Sequence, residues 1–394
     1  MYVKRDLTER FTKIASVYDV VALVGPRQSG KTTFLREQMK QKKSSYVLFD
    51  DPDARRLFGE DIKKFEMQYV EGYEVTILDE AQYCKDAGSK IKYLVDKGAK
   101  IWMTSSSETL LGKEVLSYLV GRVSIMRLYP FSLPEYLDAV GQKQVTEEIL
   151  RRRIWEHATY GGYPKAVLAN DADLKKTIMN DLYETMILKD VARTFSIDDS
   201  RALEELARYL AANTGAMLSY DKIASDLKMS FQTVKKYLDG LEKSYLITRV
   251  QPYYTNKSKE IIKQPKLYFT DTGMRNAIAK DHSADLDGKK FENYVLSELQ
   301  KTGYAPKYWR TKTKTEVDYV IEKENKVIPI EVKLKAEAGK IERSMQSYIK
   351  AYKPQRALVV AYSGEKGEAE KHGCRITYTD ALGMRGELGK IQGQ

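Results

Sequence analysis

The 394-residue chain is poor in cysteine and histidine. Its two cysteines, Cys84 and Cys374, lie far apart in the sequence, which argues against a disulfide framework and against a cysteine-based zinc site. The three histidines are scattered along the chain and do not form the closely spaced pattern of a metal site. The scarcity of cysteine is typical of a reducing compartment and predicts a cytoplasmic location.

Long hydrophobic runs are also missing from the sequence. No stretch approaches the roughly 20 apolar residues of a membrane-spanning helix, and the first ten residues, MYVKRDLTER, hold no apolar signal segment. We therefore expect no membrane partner. The chain is 42% hydrophobic and 31% charged, as in ordinary globular proteins, and its length predicts two or three domains. Its net charge of +11 permits a polyanionic partner without identifying one.

A glycine-rich loop is the most specific motif that the chain does contain. An apolar run at 19–24 precedes it and a helical pattern at 33–40 follows it, which is the context that a phosphate-binding loop requires. Glycines let backbone N–H groups approach phosphate oxygens, and the helix N-terminus adds partial positive charge. The residues predicted to bind ATP are Gly25, Pro26, Arg27, Gln28, Ser29, Gly30, Lys31, Thr32 and Thr33.

Four of the predicted site residues have defined chemical roles. We expect Lys31 to reach the β- and γ-phosphates and Thr32 to hold Mg²⁺. Asp79 and Glu80 follow the apolar run 74–78. Asp79 is predicted to bind the same Mg²⁺, and Glu80 to orient or activate the attacking water. Helix caps often show the same Asp-Glu pattern, so this pair gains its meaning from the loop.

Apolar runs at 45–49, 74–78, 99–103 and 122–128 alternate with helical patterns. This alternation predicts a parallel sheet with helices on both faces. The hydroxyl cluster at 104–107 either senses the γ-phosphate or caps the next helix. Arg122 either reaches transition-state charge, in cis or from a neighbouring subunit, or forms a salt bridge. Action from a neighbouring subunit would imply a homo-oligomer, which the sequence leaves open.

The order of GPRQSGKTT, ILDEAQ, MTSSS, GRV…LYPFSLPEYL and GGYP resembles prokaryotic AAA-type ATPases. These proteins carry a winged-helix region and a C-terminal domain of unknown function, and the resemblance runs over nearly the whole chain. It implies ATP binding and hydrolysis through Lys31, Thr32, Asp79 and Glu80. The GGYP stretch at 161–164 interrupts a helical pattern and predicts a turn or a hinge. The expected parts are a P-loop ATPase domain at 1–140, a helical lid or connector at 141–196, a winged helix at 197–280 and a nuclease-like domain at 281–394.

Residues from about 197 onward show the pattern of three helices and a hairpin. A turn of about three residues between the second and third helices is the helix-turn-helix signature. The third helix, predicted at 231–244, is expected to bury Val234, Leu238 and Leu241 on one face. Polar and basic side chains then face outward, as on a helix that enters the major groove. Winged helices that bind only proteins show a similar pattern, so that alternative stays open. The predicted DNA contacts are Gln232, Thr233, Lys235 and Lys236.

Two strand-like runs, 316–321 and 327–333, flank a polar turn. A hairpin centred between Glu324 and Asn325 places Asp318 opposite Glu331, on the same face as Lys333. Carboxylates that close together favour a cation between them, and oxygen ligands suit Mg²⁺ or Mn²⁺. Lys333 would stabilise or activate a water at the metal. A one-residue slip of the turn would separate the two acids.

This pattern resembles the PD-(D/E)xK nuclease fold, which is the α/β fold of restriction endonucleases. The resemblance rests on Asp318 and on Glu331-Val332-Lys333. It implies Glu292, on a predicted helix at 291–300, as a further metal ligand, and a contribution from Gln346 on the following helix. Val317 stands where the family often has proline. The alternatives are a surface ladder of ion pairs and an inactive nuclease fold.

The sequence as a whole predicts an α/β protein made of an AAA-type parallel-sheet domain, a winged helix-turn-helix and a restriction-endonuclease-like domain. Its predicted function is ATP-hydrolysing and DNA-associated, either as an ATP-regulated, metal-dependent DNA nuclease or as a DNA-processing ATPase. The first alternative is a non-cleaving, ATP-dependent DNA-binding switch with an inactive nuclease fold. The second is an ATP-gated protein–protein scaffold.

Overall fold

The computed structural model describes residues 2–84, 86–106, 111–112, 115–256, 260, 263–282, 285–323 and 326–392. The chain divides into two compact units. The first comprises Met1–Phe131 with Lys243–Tyr245, and the second comprises Ser132–Glu242 with Leu246–Gln394. None of the described helices is both long and apolar enough to span a membrane.

A five-stranded parallel sheet forms the centre of the first unit. Its spatial order is β2-β3-β4-β1-β5, so β1 lies between β4 and β5 while β3 is separated from β1 by one strand. All four pairings are parallel. The strands are β1 (Val20–Val24), β2 (Ser44–Leu48), β3 (Val75–Asp79), β4 (Ile101–Ser105) and β5 (Val123–Arg127).

Helices cover both faces of this sheet, as the alternating pattern predicted. Alternate residues of β1 enter different hydrophobic clusters: Val20, Ala22 and Val24 pack on one face, and Val21 and Leu23 on the other, because successive strand side chains point to opposite faces. Each predicted strand is present within two residues of its expected bounds. The helices of this unit are Thr8–Val17, Lys31–Met39, Pro52–Glu60, Ile62–Tyr69 and Ala87–Asp96, with short 3-10 turns at Ala81–Tyr83 and Leu116–Tyr118.

The first part of the second unit is helical up to residue 242, and a short sheet follows it. The helices Ser200–Ala212, Tyr220–Asp226 and Phe231–Lys243 precede the antiparallel strands β6 (Ile247–Val250) and β7 (Lys266–Phe269). This confirms the order of three helices and two strands, while the assignment as a winged helix stays a prediction. The other helices here are Leu133–Ala139, Glu147–Tyr160, Pro164–Val167, Ala172–Tyr183, the π-helix Glu184–Val191, Ala192–Thr194 and Thr272–Ala279.

A six-stranded mixed sheet forms the rest of the second unit. Its spatial order is β12-β13-β11-β10-β9-β8, and its described helices are Gly288–Lys301, Arg343–Tyr352 and Ala381–Gln392. The strands are β8 (Lys307–Arg310), β9 (Glu316–Lys323), β10 (Lys326–Ala336), β11 (Arg356–Gly364), β12 (Gly367–Lys371) and β13 (Cys374–Thr379). An α/β organisation is therefore observed in both units, and the nuclease-like assignment of this one stays a prediction.

The GGYP stretch is a packed turn. Gly161 ends the helix Glu147–Tyr160 with a φ of 80°, which glycine adopts without steric cost. A Cβ atom at this position would lie 2.2 Å from Oδ1 of Asp271. Asp271 accepts hydrogen bonds from the backbone N–H of Gly162 (2.8 Å) and of Met274 (3.0 Å). The glycine is therefore required because the Asp271 carboxylate occupies the space of a side chain.

We predict that Gly161→Ala destabilises the second unit by about 3 kcal/mol, because the strained backbone and the displacement of Asp271 both contribute. Gly141→Ala is the matched control. Gly141 also has a positive φ, 67°, but a Cβ there would meet nothing within 4 Å, so only the backbone cost of about 1–2 kcal/mol applies. Urea unfolding followed by circular dichroism measures both, and equal losses for the two variants would contradict this packing.

Candidate nucleotide site and acidic cluster

The glycine-rich loop begins directly after β1, at the carboxyl end of the parallel sheet. In open α/β sheets this is the edge at which ligands bind. Gly25 has a φ of 148°, and a Cβ atom there would lie 2.2 Å from the backbone oxygen of Leu128. Only glycine therefore fits the first position of the loop. The helix Lys31–Met39 follows and directs its N-terminus to the loop, as the motif predicted.

Lys31 lies beneath the loop with its ammonium group turned inward. Its Nζ donates hydrogen bonds to the backbone oxygens of Gly25 and Pro26, both at 2.9 Å. Burial lowers the pKa of Lys31 to about 8, although Glu80 and Asp79 favour its charged form. The ammonium group of Lys31 thus lies at the loop, where it donates to two backbone carbonyl groups. Phosphate oxygens of a bound nucleotide would replace these two acceptors.

Asp79 is the last residue of β3, and hydroxyl groups surround its carboxylate. Thr32 Oγ1 donates to both carboxylate oxygens, at 3.1 and 2.8 Å. Tyr46 and Thr104 also donate to the carboxylate. Burial and the adjacent carboxylate raise the pKa of Tyr46, so this phenol stays protonated as a donor. The structure therefore brings together Thr32 and Asp79, the two residues predicted to bind Mg²⁺.

Glu80 lies next to this centre in a left-handed backbone conformation, with a φ of 58°. Its backbone N–H donates to Thr104 Oγ1 at 3.0 Å. Its carboxylate accepts hydrogen bonds from Gln82 and from Ser106 Oγ, the latter at 3.2 Å. A non-glycine residue in this conformation is uncommon, and such residues cluster at functional sites. Two members of the predicted hydroxyl cluster thus contact the Asp79-Glu80 pair, while Ser107 lies outside the described residues.

The remaining loop residues form a cradle that includes an unsatisfied hydroxyl group. Among the described residues, Ser29 Oγ is fully buried without a hydrogen-bond partner. Arg5 donates to the backbone oxygens of Ser29 (2.9 Å) and Tyr129 (2.6 Å), which fixes the loop from outside. Arg27 donates to the hydroxyl of Tyr83 at 2.6 Å. Gln28 and Thr33 are exposed. An orphaned buried hydroxyl beside a glycine cradle and a hydroxyl–carboxylate pair fits a nucleotide phosphate group with Mg²⁺.

Arg122 is not brought to this site. Its backbone oxygen accepts a hydrogen bond from Val20, the first residue of β1, so it lies at the opposite end of the strand from the loop. Four residues of strand separate the two ends by about 13 Å. The guanidinium group pairs with Asp96 at the surface. This arrangement matches the salt-bridge alternative and does not fit action in cis.

The helix Phe231–Lys243 presents the predicted DNA-contact residues as the sequence indicated. Val234, Leu238 and Leu241 are fully buried, while Gln232, Lys235 and Lys236 are exposed. Two further contacts involve the predicted DNA-contact residues, one at the N-terminal end of this helix and one in its middle. Ser230 Oγ accepts from the backbone N–H of Thr233 at 3.0 Å, and Lys236 Nζ donates to the backbone oxygen of Ser196 at 2.6 Å.

The hairpin register predicted for the C-terminal domain is confirmed. Strand β9 pairs antiparallel with β10 from Lys323 opposite Lys326 to Tyr319 opposite Ile330, which is the register that places Asp318 opposite Glu331. The turn residues Glu324 and Asn325 lie outside the described residues. At the end of the ladder, the backbone N–H of Val332 donates to Asp318 Oδ2 at 2.8 Å. This hydrogen bond thus links β9 and β10 beyond the last backbone pair.

Three carboxylates form an acidic cluster: Glu292, Glu316 and Asp318. One oxygen of each lies within 4.8 Å of the other two. Glu292 comes from the helix Gly288–Lys301, and the other two lie two residues apart on β9. Burial, Glu292 and Glu331 raise the pKa of Asp318 well above its usual range. The structure therefore brings Glu292 and Asp318 together as the resemblance implied, with Glu316 as the third acid.

Lys266, on β7, is the counter-charge of this cluster. Its Nζ lies 3.1 Å from Glu292 Oε1 and also pairs with Glu316. Its side chain is only 5% exposed. Burial alone would lower the pKa of Lys266, but Glu292 and Glu316 outweigh that effect and raise it. The ammonium group is therefore charged and occupies the position of a cation between the two carboxylates.

Glu331 and Lys333 form a separate pair beside the cluster. Lys333 Nζ donates to Glu331 Oε1 at 3.0 Å, and Ser344 Oγ lies 3.4 Å from both oxygens of that carboxylate. Burial raises the pKa of Glu331, against the effect of Lys333. Gln346 donates to the backbone oxygen of Ile341 at 2.8 Å. The predicted metal ligand Glu331 is thus engaged with lysine and serine.

The contacts of Lys266 decide whether a divalent metal fits the acidic cluster. The donor set of carboxylate oxygens is suitable for Mg²⁺ or Mn²⁺. However, an ammonium group within hydrogen-bond distance of two of the three carboxylates takes the place of the ion. A divalent metal and Lys266 do not fit the cluster together.

Comparison with known proteins supports the class that the loop geometry defines. Residues 17–137 match a family model described as "AAA domain". Residues 151–285 and 287–380 match two models described as domains of unknown function, DUF8612 and DUF4143. Residues 17–137 are therefore similar to AAA domains, and the two stretches that follow them are similar to domains of unknown function.

Similar proteins extend over most of the chain. An uncharacterized protein of Haemophilus influenzae is 26% identical over 79% of this chain and 82% of its own length. One from Mycobacterium tuberculosis is 27% identical over 92% of this chain and 80% of its own length. One from Methanocaldococcus jannaschii is 27% identical, with coverages of 85% and 79%.

Solved structures show weaker likeness. The Walker-type ATPase of Pyrococcus abyssi covers 70% of this chain and 96% of its own, with 16% identity and a TM-score of 0.48. The ORC2 protein of Aeropyrum pernix covers 71% and 93%, with 12% identity and a TM-score of 0.41. These values are too low for either structure to inform the account of this chain.

Three residues of the two sites were missed in the sequence. Tyr46 comes from β2, Arg5 from the N-terminal segment and Lys266 from the region predicted as a winged helix. Lys266 left a signal, because a lysine that begins the otherwise apolar run KLYF is unusual in a buried strand. Glu316 was placed on the hairpin but was not grouped with Asp318, although residues i and i+2 share a face.

We predict that ATP affinity falls as pH rises above about 8. Lys31 must be charged to bind phosphate, and its pKa without nucleotide is about 8. Binding above that pH therefore takes up a proton, and the apparent Kd rises by up to about tenfold per pH unit. Below about pH 8 the lysine is already charged and contributes no such dependence. Calorimetry in two buffers of different ionisation enthalpy measures the uptake, and a constant Kd up to about pH 9.5 would contradict the assignment.

Proposed function

We propose that this protein binds and hydrolyses ATP with Mg²⁺. The observation that carries the proposal is the hydrogen-bonded pair of Thr32 and Asp79 beside a glycine loop that encloses Lys31. A hydroxyl and a carboxylate converge there on one point next to the phosphate cradle. This is the arrangement in which a P-loop serine or threonine and an acidic residue at a strand end hold Mg²⁺.

The residues of the chain would divide the chemistry among them. Backbone N–H groups of the loop and the Lys31 ammonium would bind the phosphates, and Thr32 and Asp79 would hold Mg²⁺, which supplies charge neutralisation at the phosphates. Glu80 would orient the attacking water and accept its proton. Gln82 and Ser106 hold the Glu80 carboxylate in place. Arg5 keeps the Ser29 backbone in position from the other side.

We predict that Lys31→Ala abolishes ATP binding and that Glu80→Gln lowers kcat by about a hundredfold or more while ATP still binds. The first change removes the charge at the phosphates, and the second removes the base but keeps the size of the side chain. Phosphate release measures turnover, and calorimetry measures binding.

Lys42→Ala is the control for these variants, because Lys42 is an exposed lysine beyond the helix that follows the loop. It should hydrolyse ATP at the unchanged rate. Turnover that survives Lys31→Ala would refute the assignment of the loop.

We also propose that the region with three helices and two strands binds DNA. The observation that favours this is the helix Phe231–Lys243, which buries its apolar face and exposes Gln232, Lys235 and Lys236 next to a short turn. Polar and basic groups on such a helix match base edges and phosphates of the major groove. The net charge of +11 is compatible with a polyanionic partner.

We expect Lys235→Ala to weaken binding to duplex DNA and to reduce the slope of log K against log salt by about 1, as loss of one phosphate contact does. Lys42→Ala should leave both quantities unchanged. Fluorescence anisotropy over a salt series provides the measurement. If the chain shows no salt-sensitive DNA binding at all, the protein–protein scaffold becomes the preferred function.

For the C-terminal domain, we propose the non-cleaving alternative, in which the protein is an ATP-dependent, DNA-binding switch. The confirmed register supports a nuclease-like arrangement of Asp318 and Glu331. The ion pairs of Lys266 and Lys333 favour a cluster whose charge is already compensated within the protein. Cleavage by such a site would require the metal that Lys266 displaces.

A further inference from the structure

We infer that Lys266 is the resident cation of the acidic cluster and that removing its ammonium group turns the cluster into a divalent-cation site. The inference rests on the proposed non-cleaving function, because it names the group that keeps metal out. The cluster consists of Glu292, Glu316 and Asp318. Its lysine comes from β7, which is not a strand of the six-stranded sheet.

The main chain holds Lys266 firmly in this position. Lys266 pairs with Val250 of β6 on one side and forms a bridge with Met217 on the other. All four residues of β7 are buried, and the side chain of Lys266 is 5% exposed. The backbone contacts on both sides therefore fix the point from which the lysine side chain reaches the cluster.

The remaining polar contacts show that hydrogen bonds and positive charges of the protein itself already compensate the cluster. Tyr268 donates to Glu292, the backbone N–H of Val332 donates to Asp318, and Arg310 lies 3.6 Å from Glu316. A divalent ion bound by the same oxygens would lie within about 3–4 Å of the ammonium group. At that distance like charges repel strongly in a buried site. Metal and lysine are therefore alternatives.

The geometry that the lysine would leave suits a small divalent ion. Ligand oxygens around an octahedral ion with bonds of about 2.1 Å are about 3–4 Å apart. The three carboxylates already have oxygens within 4.8 Å of one another. A shift of less than about 1 Å in side-chain positions would bring them into coordination distance. Loss of Lys266 would also leave the acids without their main counter-charge, which increases their affinity for a cation.

Mn²⁺ binding to the full-length chain tests the inference, measured by electron paramagnetic resonance without nucleotide. All variants carry Asp79→Asn, so that the phosphate-loop site does not contribute. With Lys266 intact, we expect no Mn²⁺ at the cluster. Lys266→Met should gain one Mn²⁺ with at least a tenfold increase in affinity, and adding Asp318→Asn should abolish the gain. Lys263→Met, at an exposed lysine three residues earlier, should behave like the chain with both lysines.

Three results would overturn the inference. The first is Mn²⁺ bound with Lys266 intact and lost with Asp318→Asn. The second is a folded Lys266→Met variant that gains no Mn²⁺. If Lys266→Met is unfolded without metal, Mn²⁺ should restore its thermal unfolding transition, and no recovery is the third.

DNA cleavage is measured separately, so the two proposals can fail independently. Mn²⁺ binding by Lys266→Met without cleavage supports the cation role of Lys266 and identifies an inactive nuclease fold. Mg²⁺-dependent cleavage by the wild-type chain that Lys333→Ala abolishes would contradict the non-cleaving function.

Discussion

The carboxylate of Asp79 ends a strand whose five residues are all buried, and hydroxyl groups of Thr32, Tyr46 and Thr104 surround it. A buried carboxylate is costly unless it is hydrogen-bonded or paired with a cation. Its direct partners here are neutral, so they satisfy its hydrogen-bonding capacity while leaving its negative charge in place. A threonine hydroxyl can turn its lone pairs to a metal as readily as it donates a hydrogen bond. This edge of the sheet therefore offers oxygen ligands that suit the Mg²⁺ ion we propose.

In the acidic cluster of the second unit, positively charged side chains compensate the buried carboxylates. Lys266 places an ammonium group between Glu292 and Glu316, and Lys333 does the same for Glu331. Removing one partner of a buried ion pair leaves an uncompensated charge, which typically costs about 3–5 kcal/mol. The two acidic sites of this chain thus differ in one physical respect. Hydroxyl donors leave room for a metal at the first, whereas lysines occupy that room at the second.

The sequence was most informative where local pattern determines geometry. The glycine loop, its strand and its helix follow one another directly, and the β9–β10 register follows from the period of two and a short turn. The role of Arg122 stayed open between transition-state contact, in cis or from a neighbouring subunit, and a salt bridge, because its distance from the loop depends on strand direction, which a motif does not contain. Lys266 reaches Glu292 across 26 positions of sequence, from a strand to a helix. No spacing rule predicts such a contact, although a lysine in a buried strand indicates that a partner exists.

Anomalous diffraction from crystals grown with Mn²⁺ and a non-hydrolysable ATP analogue tests this contrast most directly, because it locates every bound manganese ion. We predict a manganese peak between Thr32 and Asp79, next to the phosphates, and no peak among Glu292, Glu316 and Asp318. A peak within the acidic cluster, or the absence of a peak at Thr32 when the analogue is bound, would contradict this prediction.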